Sequence, residues 1–237
     1  MHPILNIAIR AIRQGGKILI QNYDTQQSMT KKITYHYKVL NNIIEYSEKV
    51  MSGIIHKFYP KHYIISQRLN NVTLKDKRNL WIINPLDGII NYSKYLPHFC
   101  ITISVYLKGL IELSVIYDPL KNELFSSIKG QGSKLNGYRI RCEHVNNMNH
   151  IVVAINFLNI TNNLNQFLFD KILKKLFMHN CYFRCSGSLA LDFAYIASGR
   201  INCYIGYKDD FSNFAIGEQQ IQESGGLVIH LNDIFNN

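Results

Sequence analysis

The sequence predicts a layered α/β fold. Three observations carry this reading: two amphipathic helical stripes open the chain, short apolar strands run from residue 62 to residue 128, and strands alternate with helices from residue 151 onward. With 237 residues, 47% of them hydrophobic, the chain can bury a sizeable core as one large domain or two small ones.

Each element follows from a local pattern. Ile4, Leu5, Ala8, Ile12, Gly15 and Leu19 fall on one stripe and predict a helix over 3–22. Ile43, Ile44, Ser47, Val50, Met51, Ile54, Ile55 and Phe58 step by three and four and predict a second helix. Tyr59–Pro60 ends it, because proline disfavours helix in the residue before it. Residues 24–38 between the two stripes read as a polar, basic loop. Strands are predicted at 62–66, 80–84, 98–107 and 110–118, then a proline turn at 118–122 and "ELFSSI". The glycines of "KGQGSKLNGYRI" mark tight turns. Beyond them, 151–156, 181–184, 201–205 and 227–231 read as strands, and 164–178, 187–199 and 213–224 as helices, the last stopped by Gly225–Gly226. Polar residues 143–150 mark a boundary between an N-terminal α+β half, 1–143, and a C-terminal α/β half, 144–237.

Composition narrows the function classes. No apolar run approaches the ~18 residues needed to cross a bilayer, and Asn6, Arg10 and Arg13 interrupt the first segment, so neither a membrane span nor a signal peptide is expected. Cys100, Cys142, Cys181, Cys185 and Cys203 are odd in number and form no CxxC pair, which points to reduced thiols and a cytoplasmic location. The formal charge of +10 is uneven: residues 1–80 hold thirteen Lys/Arg against four Asp/Glu, a net of +9. Lys31, Lys32, Lys38, Lys57, Lys61 and Arg68 would form an RNA- or partner-binding face there. The competing reading is codon bias, since 34 Ile, 25 Asn and 18 Lys stand beside only 8 Arg.

"WIINPLDGIINY", residues 81–92, leads from Trp81, expected in the core, into a polar turn with one carboxylate, Asp87. Gly88 and the backbone N–H groups after it suit either an anion-binding nest or a plain turn. The nine histidines lack metal spacing, and "CYFRC" on a strand reads as packing. Ser186 or Ser188 is expected to cap the helix that follows "SGS".

"WIINPLDGIINY", "GQGSKLNGYRIR", "FRCSGSLALDFAYIASGR" and "FAIGEQQIQESGG" occur in the order and spacing of the inositol monophosphatase family, which the chain resembles from residue 1 to about 230. The resemblance implies an αβαβα sandwich of the sugar-phosphatase type, usually dimeric, in which Mg²⁺ drives hydrolysis of a phosphate monoester. It also implies that most ligands are replaced here. Asn84 stands for a bridging Asp in D-P-x-D-G-T, Asp87 keeps the second Asp, and Ile89 replaces the threonine that orients water. Gln67 and Arg68 stand for paired glutamates, Lys38 and Ile44 for two further acidic positions, Asn213 for a metal-binding Asp, and Gly206 for a substrate-binding Glu. Mg²⁺ wants carboxylate oxygens at close to octahedral geometry, and Lys38 and Arg68 bring like charge instead, so no catalytic residue and no metal cofactor is expected. The chain resembles most a bacterial branch of the family whose members are Nus factors, working with RNA polymerase and NusA on ribosomal RNA. A non-catalytic Nus factor is therefore the expected function, and a residual Mg²⁺-dependent inositol-1-phosphatase is the alternative. The family continues past "GGLVIH" with a further strand and helix, whereas "LNDIFNN" ends this sequence, so a shortened C-terminal half is expected.

Overall fold

The computed structural model describes residues 2–27, 33–66, 79–156, 163–206 and 211–229. Helices α1 (Pro3–Gln27) and α2 (Ile33–Phe58) form the first layer. Leu5, Ala8, Ala11, Ile12, Leu19, Ile43, Ile44, Met51 and Ile55 are buried along their inner stripes. The helices meet closely at Gly15, where a Cβ would lie 2.6 Å from the Met51 sulfur, and the Ser47 hydroxyl donates to the Gly15 carbonyl at 3.3 Å. Both helices run longer than their stripes predict, so residues 24–27 and 33–38 of the expected basic loop are helical and Lys38 sits on α2, while residues 28–32 lie outside the described residues. The helical turns on either side still bury Tyr23 and Leu40, which is what extends them.

The second layer is a seven-stranded sheet in chain order: β1 (Tyr63–Ser66), β2 (Asn79–Asp87), β3 (Cys100–Leu107), β4 (Leu110–Asp118), β5 (Glu123–Ile128), β6 (Gly132–Leu135) and β7 (Tyr138–Arg139). β1 pairs with β2 in parallel and the remaining pairs are antiparallel, joined by short connections, except that α3 (Ile89–Ser93) lies between β2 and β3. One face packs on α1 and α2 through Trp81, Ile83, Ile101, Ile103, Leu113 and Val115. Trp81 is fully buried, and its indole N–H donates to Nδ1 of His62 at 3.0 Å.

The other face packs on a central helix layer, α5 (Leu189–Ala197) and α6 (Phe211–Glu223), through Cys100, Ile116, Phe125, Ala190, Leu191, Ala194 and Ile216. A buried polar seam runs along α6: the Gln220 side-chain amide donates to the Ser114 carbonyl and hydroxyl, and Ser133 donates to the Gln220 carbonyl at 2.7 Å. The Glu223 carboxylate accepts the N–H groups of Gly130 and Gly132 at 2.7 and 2.8 Å, which fixes the glycine turn. The far side of the central helices holds a parallel three-stranded sheet, β10–β8–β9, made of β8 (Val152–Asn156), β9 (Tyr182–Arg184) and β10 (Cys203–Gly206). Ala154, Phe193, Ile196 and Phe214 fill that interface. The last layer, α4 (Asn163–Met178), covers the outer face with Leu176 against Val153 and Ile155. The order is αβαβα, the expected fold. The break at 143/144 falls between the two sheets, while α5 and α6 of the second half pack on the sheet of the first.

Two expected elements differ. The helix over 187–199 is trimmed to Leu189–Ala197, since Gly187 and Gly199 take φ values of +77° and +72° that a helix does not admit. The strand over 227–231 is not formed in its described part, 227–229. Val228 packs on the central layer, Leu227 and Ile229 face outward, and no described strand offers them a ladder. His230 and Leu231 lie outside the described residues.

Glycines test this packing. A Cβ on Gly217 would run into the Phe193 ring, whereas one on Gly53 meets nothing within 4 Å. Gly217→Ala should destabilise the protein by about 1–3 kcal/mol, and Gly53→Ala should stabilise it by about 0.5–1 kcal/mol. Urea unfolding of both variants checks the pair. Equal effects would contradict the close α5–α6 approach.

Candidate functional site

The site grows from a break in β2. Pro85 has no N–H to give a ladder, and the pairing with β3 shifts register between Asn84 and Asp87. The Asn84 side-chain oxygen accepts the Leu86 N–H at 3.1 Å and closes this turn from within. Gly88 follows at φ +84°, where a Cβ would come within 3.0 Å of the His98 carbonyl. Asn91 on α3 donates to the carbonyls of His98 (2.7 Å) and Ser186 (2.8 Å), tying the turn to the start of α5.

The Asp87 carboxylate faces the N-terminus of α5. Its Oδ2 accepts the Ser188 hydroxyl at 2.6 Å and the Ala190 N–H at 3.1 Å, with the Cys100 thiol 3.8 Å away. A helix start presents unpaired N–H groups and a partial positive charge. Ser188 occupies the cap position but makes no side-chain cap bond. The expected serine cap is thus replaced by a carboxylate reaching across from the sheet. Ser186 stays local, accepting the Ser188 N–H at 3.2 Å.

A second carboxylate, Asp192, lies buried in the first turn of α5, and its Oδ1 has no hydrogen-bond partner among the described residues. Burial pushes its carboxyl up to about 7; a hydrogen bond from Ser186 opposes the shift and the charge of Asp87 adds to it. The Cys100 thiol is pushed well up by burial and then by Asp87, so it stays protonated.

Asn84 and Asp87 already accept backbone and hydroxyl hydrogens, and no three His, Cys, Asp or Glu side chains converge among the described residues.

The other sequence-predicted positions separate. Ile44 is core, Ile89 is exposed at the start of α3, and Gly206 is exposed at the end of β10. Lys38 is exposed on α2 and bonds neither Asn84 nor Asp87. Lys57 ends α2 and Lys61 follows it, both exposed. Lys38 and Lys57 stand 19 residues apart on one helix, about 28 Å at 1.5 Å per residue, so they are spread along it rather than clustered. Asn213 lies on α6, with its side chain outside what is described. Gln67, Arg68, Lys31 and Lys32 lie outside the described residues. Sequence reasoning missed Asp192 and Asn91. The available signal was an acidic residue in the first turn of an otherwise apolar helix.

The model of the inositol monophosphatase family matches residues 1–233. The chain belongs to that family. Its relatives include Nus factor SuhB of Buchnera aphidicola subsp. Acyrthosiphon pisum, 46% identical over 229 residues, which are 96% of this chain and 86% of that protein. Nus factor SuhB of Escherichia coli is 37% identical, over 96% of this chain and 85% of that protein. Among solved structures, SuhB from Bartonella henselae superposes with a TM-score of 0.83 at 24% identity, covering 99% of this chain and 91% of that one. An inositol monophosphatase from Anabaena superposes with a TM-score of 0.75 at 27% identity, covering 94% and 81%. This family member thus has the family fold around a turn whose Asn84 and Asp87 are engaged within the protein.

Removing the Asp87 carboxylate should strand the Ser188 hydroxyl and the Ala190 N–H. Asp87→Ala should cost about 1–3 kcal/mol, read by urea unfolding in metal-free buffer; an unchanged midpoint would contradict the cap. Asp192 tests the electrostatics. Its folded-state value of about 7 lies above the ordinary 3.8, so its contribution is full below the unfolded value and is lost as pH rises through 7. The advantage of Asp192→Asn in melting temperature over the parent should therefore grow between about pH 4 and about pH 7. A constant difference across that window would contradict it.

Proposed function

We propose that the chain is a non-catalytic, SuhB-like Nus factor. It works in the cytoplasm as a homodimer, joins RNA polymerase and NusA in antitermination of ribosomal-RNA transcription, and supports folding of the new RNA. The observation that carries this reading is the engagement of Asp87, the one metal-site carboxylate left by the family motifs, in holding Ser188 and Ala190. Asn84 supports it, since its oxygen closes its own turn. Two relatives with whole-chain similarity are named Nus factor SuhB, a role that asks for surface rather than a metal. Among the described residues no helix is long and apolar enough to cross a membrane.

The exposed Lys38, Lys57 and Lys61 would then meet RNA phosphates or an acidic partner face. No Mg²⁺ is required in this role.

Affinity capture of the tagged full chain from its native cytoplasm should bring down RNA polymerase and NusA. The same preparation, with millimolar Mg²⁺, should leave inositol 1-phosphate unhydrolysed. Turnover on the order of 1 s⁻¹, an ordinary enzyme rate, would overturn the non-catalytic reading, and loss of polymerase and NusA from the capture would overturn the Nus role.

A further inference from the structure

The edge of the seven-stranded sheet farthest from β1 carries cations that the Asp87 site does not use. β6 and β7 pair with Lys134 directly opposite Arg139, and Arg141 follows two residues on, all three exposed. Like charges directly opposite each other destabilise a strand pair. Tyr138, next to Arg139 on β7, is 81% exposed.

Six arginines lie among the described residues, and four of them have an internal role. Arg10 lies over the Phe58 ring, Arg13 bonds Asn122, Arg184 bonds the Phe183 carbonyl, and Arg200 bonds both oxygens of Glu123. Arg139 and Arg141 have no hydrogen bond, ion pair or ring contact among the described residues, and no carboxylate there pairs with Lys134. A Cβ on Gly132 would lie 3.4 Å from Nε of Arg139 and 3.5 Å from the Glu223 carbonyl, and one on Gly225 would lie 3.9 Å from Nη1 of Arg141. Both guanidinium groups thus sit at the C-terminal end of α6, whose dipole attracts cations. The acceptors there are already taken. The Ile221 carbonyl accepts the Gly226 N–H and the Ser224 hydroxyl, the Gln222 carbonyl accepts the Gly225 N–H, and the Glu223 carboxylate holds Gly130 and Gly132. Glu143, two residues beyond Arg141, accepts from the Asn202 side chain at 2.8 Å. The helix end therefore positions the two guanidinium groups and leaves their donors for a group outside the chain.

That group must be anionic. Codon bias accounts for lysines in this chain, but not for two of its 8 arginines set two residues apart. The arginine fork matches phosphate oxygens with two parallel hydrogen bonds, and an exposed ring beside it gives a base a face to stack on. β7 is only two residues long, too short an edge for an acidic peptide to pair along as an added strand. We propose that the β6–β7 edge binds single-stranded RNA, with Arg139, Arg141 and Lys134 on the phosphates and Tyr138 as the stacking platform. The choice of RNA as the anion rests on the Nus-factor reading. The contact is separate from the lysines of α2, which packs on β2 near the other edge of the sheet.

Fluorescence anisotropy with a labelled oligouridylate about 16 nucleotides long tests this on the full chain, beside labelled polyglutamate as an anion without bases. Wild type should bind the oligouridylate with an affinity that falls steeply with salt. Arg139→Gln with Arg141→Gln should lower the slope of log affinity against log salt by about two. Arg139→Lys with Arg141→Lys, which keeps the charge and loses the fork, should keep the slope and still weaken binding. Tyr138→Ser should weaken binding about tenfold, and Tyr138→Phe, which keeps the ring, should bind as wild type does. Thermal melting of each variant confirms folding. Wild-type affinity and slope in the Gln pair and in Tyr138→Ser would overturn the proposal. So would polyglutamate binding as tight as that of the oligouridylate and lost in the same variants, which would assign the edge to an acidic protein. Arginine-dependent RNA binding without capture of polymerase would uphold this edge while the Nus-factor reading fails. Capture of polymerase and NusA by a chain that binds no oligouridylate would overturn this edge and leave that reading standing.

Discussion

The hydrogen bonds from Ser188 and Ala190 to the Asp87 carboxylate join two parts of the fold that the chain visits 101 residues apart. Asp87 ends β2 in the seven-stranded sheet, and α5 begins the central helix layer. α5 carries Phe193, which packs with Tyr204 and Phe214 and so sets the three-stranded sheet against the helices. A carboxylate at a helix start is favoured by the unpaired N–H groups and by the helix dipole. Cys100 beside it is fully buried.

The Asp87 carboxylate anchors the start of α5, a structural role that needs no metal. The Asn84 side-chain oxygen accepts the Leu86 N–H and closes the turn. Ile44 on α2 is 2% exposed in the core, where a charge would be costly. The remaining electrostatic tension is Asp192, buried near Asp87 with one oxygen unpartnered.

Much of the fold was legible because it rests on periodicity. The stripes of α1 and α2 located both helices, and the apolar runs located β1 to β5 and β8 to β10 to within a few residues. Residues 24–27 and 33–38 of the expected loop are mostly polar, and polarity alone cannot tell a loop from the solvent face of a helix whose inner face still meets the core at Tyr23 and Leu40. The strand expected at 227–231 needed a neighbour, which no local pattern supplies. At the site, the family motifs pointed to Asn84 and Asp87, but not to what Asp87 holds. Its partners lie on a different element, and the cap expected from Ser188 comes from the sheet instead.

Isothermal titration calorimetry of the purified chain with Mg²⁺, paired with melting curves at the same concentrations, tests the central claim most directly. A ligand that binds only the native state must raise its stability by mass action. If Asp87 serves as a helix anchor and not as a metal ligand, the titration will show no saturable heat and the melting temperature will not move. Saturable binding with a rise of several degrees at modest Mg²⁺ would contradict the account.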